Sequence, residues 1–194
     1  VSAEHSFAGA LRALAAALDE IPALSMIIGG VAVIAAGVPR ETIDIDATIL
    51  GQTSSPEMVL EALARQQIVP RIADAITFAH ERQVLLLRHE PSGITMEISF
   101  AWLPFEEEAL SRAVTTDFSG VFLRMAIPED LIVYKATAWR DRDRSDIERL
   151  LTLHADRIDL DRVRRLIVEI SAVLEDPERV AQFDAIVARS RATP

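Results

Sequence analysis

Phe7, Leu11, Leu14, Ala15 and Leu18 recur at three- and four-residue spacing near the start of the chain, which places them on one side of a helix that Pro22 ends. The period then shortens. Leu24 to Ile28 is an apolar run of strand length, Gly30 to about Ala36 returns to helix, and Ile43 to Leu50 alternates in the manner of a strand. Ser54-Ser55 offer caps for a helix from Pro56 to Gln67. Gln83 to His89 and Ile94 to Phe100 predict two strands, and the turn sequence Glu90-Pro91-Ser92-Gly93 between them predicts a hairpin. Val69 to Ala79 supports neither period clearly. A short helix is predicted over Glu106 to Arg112 and extended segments over Val114 to Phe118 and Val121 to Ala126. Beyond Ile127 the pattern is helical: Pro128 to about Trp139, Asp143 or Arg144 to His154, Asp159 to Leu174, and Asp176 to Arg189 with Pro177 at its first helical position. The fold class expected is therefore mixed α/β (α+β): a core carrying a mixed β-sheet over residues 1–127, followed by a helical region over 128–194 packed on it.

Composition narrows the picture. Of 194 residues half are hydrophobic and 26% charged, a balance that supports a buried core and argues against disorder. With no cysteine there is no disulfide, thiol nucleophile or cysteine zinc site. Charge or glycine interrupts each apolar run well before about 18 residues, so no membrane span is expected. Glu4, Arg12 and Asp19 interrupt any signal-peptide pattern, and a cytoplasmic protein is expected. The formal net charge of −10 opposes generic attraction to nucleic acid, although eight arginines stand against seven acidic residues from Ala138 to Arg165.

The chemistry concentrates between Gly29 and Asp46. Strand parity puts Asp44 and Asp46 on one face and Ile43 and Ile45 on the other. Two carboxylates so placed repel each other unless a cation lies between them. Gly29 and Gly30 follow a strand and open a helix, where backbone N–H groups left uncovered suit a phosphate.

An apolar strand, Gly-Gly, thirteen intervening residues (Val31 to Ile43) and Asp44-Ile45-Asp46 on a strand resemble the nucleotidyltransferase superfamily that includes DNA polymerase beta. The finer pattern Gly37-Val38-Pro39-Arg40, Thr42, Asp44-Ile45-Asp46 is similar to its AbiEii-like branch of abortive-infection and toxin nucleotidyltransferases. The resemblance spans roughly Ser25 to Leu151. It implies a magnesium-dependent, or manganese-dependent, transfer of a nucleoside monophosphate from a nucleoside triphosphate to an acceptor with release of pyrophosphate. The acceptor stays open among RNA such as a tRNA end, a protein side chain and a small molecule such as an aminoglycoside; a toxin would add an antitoxin protein as partner. A third metal-binding carboxylate is implied on a neighbouring strand. Glu97 fits by parity, since Ile94, Met96, Ile98 and Phe100 face a core while Thr95, Glu97 and Ser99 face the other way. Aspartate is the more frequent family residue there. The resemblance also implies that Lys135 binds the triphosphate as a point charge, that Arg40 contributes to nucleotide binding, that Arg140 lies near the phosphates or the acceptor, and that Asp143 and Asp146 orient these bases or receive the acceptor.

Taken singly these features have plainer readings. A Gly-Gly pair is commonly a tight turn, Asp-x-Asp the wet face of a strand, and the alternating charges from Arg140 to Asp146 a solvated helix start. Thr42 reads as a brace for the glycine loop. His5, His80, His89 and His154 lack ligand spacing and read as surface or packing residues. Trp102, Trp139 and Tyr134 read as core anchors. The alternative to an enzyme is a nucleotide-binding module of the same fold that has lost its chemistry.

Overall fold

The computed structural model describes residues 6–192; His5 lies outside them. The chain divides into two units, one comprising Val1–Val31 and Glu41–Ala126, the other Ala32–Arg40 and Ile127–Pro194.

The first unit is built on one sheet. Its strands are β1 (Ser25–Ile28), β2 (Asp44–Leu50), β3 (Ile68–Pro70), β4 (Val84–His89), β5 (Thr95–Ala101), β6 (Val114–Phe118) and β7 (Val121–Met125), in the order β3-β4-β5-β2-β1-β7-β6. β2 is central, antiparallel to β1 and parallel to β5; β7 is parallel to β1, and the remaining pairs are antiparallel. Helix α1 (Phe7–Asp19) is capped by the Ser6 hydroxyl, which accepts from the Gly9 N–H at 3.0 Å, and buries Leu11, Leu14 and Leu18. Each such side chain contributes about 1.5–3 kcal/mol of transfer free energy. α3 (Pro56–Arg65) starts as the serine pair predicts: Ser55 accepts from Met58 N–H. Val59 and Leu63 of α3 and the inward strand residues Ile45, Ile49, Leu85, Leu87, Met96 and Ile98 complete the core, all fully buried.

The ambiguous stretch after Ile68 divides. Its first residues pair with β4, Val69 opposite Arg88, and its end forms α4 (Ala75–Arg82). Gln83 closes α4 in the left-handed conformation, φ 56°, so the next strand begins at Val84 and not at Gln83. Ile43 is also corrected: it precedes β2 and is 79% exposed, leaving Ile45, Ala47 and Ile49 to carry the buried face. Trp102, read as an anchor, is 63% exposed.

The second unit is helical: the end of α2 (Gly29–Ala35), which spans the division, then α6 (Pro128–Ala138), α7 (Asp141–Leu153), α8 (Leu160–Val173) and α9 (Glu178–Ala192). Between α4 and these lies α5 (Pro104–Arg112) of the first unit. Ile132 and Val133 from α6, Ile147 and Leu150 from α7, Val163 and Ile167 from α8, and Phe183 and Ile186 from α9 form its core. α9 begins one residue after Pro177. Trp139 ends α6 at φ 56° and carries the Arg179 guanidinium 4.9 Å above its ring, a cation–π contact. Among the described residues no helix is long and apolar enough to cross a membrane.

Candidate active site

The predicted site residues divide between the two units. Gly29, Gly30, Thr42, Asp44, Asp46 and Glu97 belong to the first, and Arg40, Lys135, Arg140, Asp143 and Asp146 to the second.

In the first unit the sheet register assembles the group. Asp46 lies opposite Ile28 on β1 and opposite Glu97 on β5, while Asp44 lies opposite Thr95. Neighbouring strands are about 4.8 Å apart, so Asp46 and Glu97 stand side by side on the central strands, with Asp44 two residues away on the same face. Asp44 and Asp46 are half-buried and Glu97 is exposed, whereas the alternating Ile45, Met96 and Ile98 are inside. Ile28 is followed at once by Gly29, and this explains the glycine. Gly29 has φ +62°, and a Cβ built there would fall onto the Asp46 carboxylate, 2.7 Å from its Cγ. Both requirements exclude a side chain. Gly30, expected to share this freedom, does not: it lies inside α2 and is not among the positive-φ glycines.

Thr42 acts on the acids and not on the glycine loop. Its hydroxyl donates to Asp44 Oδ1 at 2.9 Å and meets the Asp44 carbonyl at 3.3 Å, fixing that carboxylate at the strand entrance. Arg71 went unnoticed in the sequence, because it sits in the stretch with no clear period. Its Nη2 donates to Glu97 Oε1 at 3.4 Å. Among the described residues no three acid or histidine side chains are drawn together as a ready ligand set. The donor type is nevertheless right for magnesium or manganese, which take carboxylate oxygens. Releasing Glu97 toward the aspartates costs little, since its bond to Arg71 is long and its side chain is half exposed.

In the second unit the Arg140 to Asp146 run is solvated only in part: Arg140, Asp141, Arg142 and Ser145 are exposed, as a wet helix start predicts, but two of its acids are not. Asp143 and Asp146 are buried, at 2% and 3% exposure. Lys135 Nζ donates to Asp143 Oδ1 at 2.8 Å and lies 3.0 Å from Asp146 Oδ2; Arg40 Nη1 meets the same Asp146 oxygen at 2.5 Å. The second Asp143 oxygen accepts from the Arg140 N–H at 3.0 Å and so caps α7. Two cations and two anions close a neutral buried cluster. The Lys135 ammonium, which the resemblance assigns to triphosphate, is matched here by two carboxylates and ties α6 to α7. The Arg40 guanidinium ties the segment after α2 to α7 in the same way. Three of the four histidines are described: His80 pairs with Glu57 at the surface, His89 is buried against Ser92, and His154 Nε2 contacts the Ala36 carbonyl at 2.8 Å.

A family model described as "Nucleotidyltransferase of unknown function (DUF6036)" matches residues 9–191. The chain belongs to this nucleotidyltransferase family. No curated protein matches it significantly. Solved structures with the same fold include the antibiotic-resistance factor ANT(2'')-Ia in solution, 19% identical with TM-score 0.55 over 88% of this chain and 94% of that one. The crystal structure of ANT(2'')-Ia in complex with adenylyl-2''-tobramycin gives 18%, 0.54, 84% and 95%. An antigenic nucleotidyltransferase-like protein from Paracoccidioides brasiliensis gives 14%, 0.53, 90% and 91%. At these identities the similarity is one of fold alone.

The Gly29 cradle yields a direct expectation. Gly29→Ala must both force a left-handed alanine, about 1–2 kcal/mol, and push Asp46 off its present position. A loss of that size in chemical denaturation is expected, together with lost transfer activity even though every carboxylate is retained. Parent-like stability and activity would show that the close approach of Gly29 to Asp46 is not needed.

Proposed function

We propose that this nucleotidyltransferase moves a nucleoside monophosphate from a nucleoside triphosphate to a hydroxyl-bearing acceptor, with Asp44, Asp46 and Glu97 as ligands for magnesium or manganese. The observation that carries the reading is the register Ile28, Asp46, Glu97 across β1, β2 and β5, with Gly29 against the Asp46 carboxylate. The metal, when bound, supplies positive charge to the triphosphate and a lowered pKa for the acceptor hydroxyl. Asp44, held by Thr42, and Asp46, seated on Gly29, provide fixed ligands, and Glu97 completes the set when it leaves Arg71. The N–H groups of Gly29 and Gly30 at the start of α2 face the phosphates, and Arg71, released from Glu97, can meet their charge.

For the acceptor, the net charge of −10 favours a small, uncharged or cationic polyol over RNA. Tobramycin, which appears adenylylated in one of the structures of similar fold, is of that class. An AbiEii-like toxin acting on RNA or protein, with an antitoxin partner, is the competing acceptor assignment. One observation favours the second reading, a binding module without chemistry: the Glu97 carboxylate is already engaged by Arg71.

Incubating the protein with each labelled nucleoside triphosphate, magnesium, and in turn an aminoglycoside panel, total RNA and a protein extract separates these. Label on an aminoglycoside is expected; label on RNA alone would transfer the proposal to the toxin branch. Calorimetry with a non-hydrolysable triphosphate should show magnesium tightening its binding. No tightening would exclude the carboxylates as a metal bridge.

A further inference from the structure

The two edges of the sheet are treated differently. At one edge β3 is three residues long and ends in Pro70, which has no N–H to offer, so that edge is blunted. At the other, β6 reads Val114-Thr115-Thr116-Asp117-Phe118, five residues of which four have high strand propensity, with one charge and no proline. Among the described residues no strand flanks β6 on its outer side, and no loop or helix backbone bonds to it there. Val114 is 50% exposed, and on β7 beside it Phe122 is 71% exposed.

Which backbone groups face outward follows from the register of β6 against β7. Ala126 N–H donates to the Ile27 carbonyl at 3.0 Å, so even-numbered β7 residues bond toward β1 and odd-numbered ones toward β6. Leu123 therefore exchanges bonds with Thr116, and Met125 with Val114, while Thr115 and Asp117 direct their N–H and C=O groups away from the sheet.

We propose that β6 pairs antiparallel with β6 of a second copy about a two-fold axis at Thr116. The strand is self-complementary in that register and in no other full-length one. Each Thr115 exchanges backbone bonds with Asp117 of the partner subunit, using the groups that already point outward. Val114 meets Phe118 of the partner subunit, apolar against apolar, and the two Thr116 residues face each other. An axis between two residues would oppose an outward group with an inward one, and an axis at Asp117 would set the two carboxylates against each other, which is destabilising. Closed two-fold pairing also removes the open edge instead of propagating it. The proposal is independent of the chemistry assigned above.

The test uses the full chain in sedimentation velocity across about two decades of concentration. Concentration-dependent dimerisation is expected. Thr115→Pro removes an outward N–H that the sheet does not use, in an edge strand whose extended backbone accepts proline, and should abolish dimerisation with secondary structure unchanged by circular dichroism. Thr115→Lys places a cation opposite Asp117 of the partner subunit twice and should tighten association roughly two- to thirtyfold; Thr115→Asp should weaken it comparably. In this cysteine-free chain, Thr116→Cys should oxidise to a covalent dimer, because facing residues in a non-hydrogen-bonded pair have Cα atoms about 4.5 Å apart, whereas Ser111→Cys should not. A parent that stays monomeric overturns the proposal. So does a dimer in which the lysine and aspartate variants shift in the same direction, or one that Thr116→Cys fails to trap.

Discussion

Asp46→Asn is expected to abolish transfer without harming the fold. The substitution keeps the side chain's size and its seat against Gly29, but removes one negative charge from a face that also carries Asp44 and Glu97. Neighbouring like charges cost folding free energy, so the melting temperature should stay level or rise slightly. Activity should fall by roughly 10³-fold or more, because stabilising charge that develops in the transition state commonly counts for that much per interaction. Melting temperature, triphosphate affinity and transfer rate measured on parent and variant together give the decision. Parent-like transfer in Asp46→Asn would remove the carboxylate face from the mechanism. A parent that binds nucleotide with magnesium yet transfers to no acceptor would establish the binding module instead.

Lys135→Met is expected to be the most destabilising single change at these positions. Methionine fills much the same volume, but Asp143 and Asp146 are then left buried with Arg40 as the one remaining cation of the cluster. Breaking a buried pair by removing one partner costs about 3–5 kcal/mol, which for a chain of this size lowers the melting temperature by roughly 10 °C. Adding Asp143→Asn should recover much of that loss, since the Arg40–Asp146 pair is again balanced and asparagine can still accept from the Arg140 N–H. A triphosphate-binding lysine behaves otherwise: Lys135→Met would then leave the melting temperature unchanged, weaken nucleotide affinity and gain nothing from Asp143→Asn. Chemical denaturation of the parent, the single variant and the double variant, with nucleotide affinity on each, separates the two roles.

The sequence by itself determined much of this protein, and it did so wherever the information was local. Helical and alternating periods located α1, β1, β2, α3, the β4–β5 hairpin and the helices after Ile127, because burial of one face imposes that spacing on neighbouring residues. Parity alone set Asp44 with Asp46, and Glu97 opposite to the buried Met96 and Ile98. Short elements escaped: β3 exists because Val69 pairs with Arg88 and α4 because it packs on β4; three residues carry too little period to announce the first, and the second buries only Ala75 and Ala79.

Only the tertiary structure decided what those residues meet. The register that sets Asp46 beside Glu97 joins residues 51 positions apart, and nothing within either strand encodes it. Gly29 must be glycine because of a carboxylate seventeen positions on, a steric fact visible only once β1 and β2 pair. The run from Arg140 to Asp146 has the composition of a wet helix start. It is instead buried at Asp143 and Asp146, because α6 brings Lys135 against it and Arg40 reaches Asp146 across 106 residues of chain. A charge pattern states which groups want partners; the fold decides whether those partners are water, another side chain or a ligand.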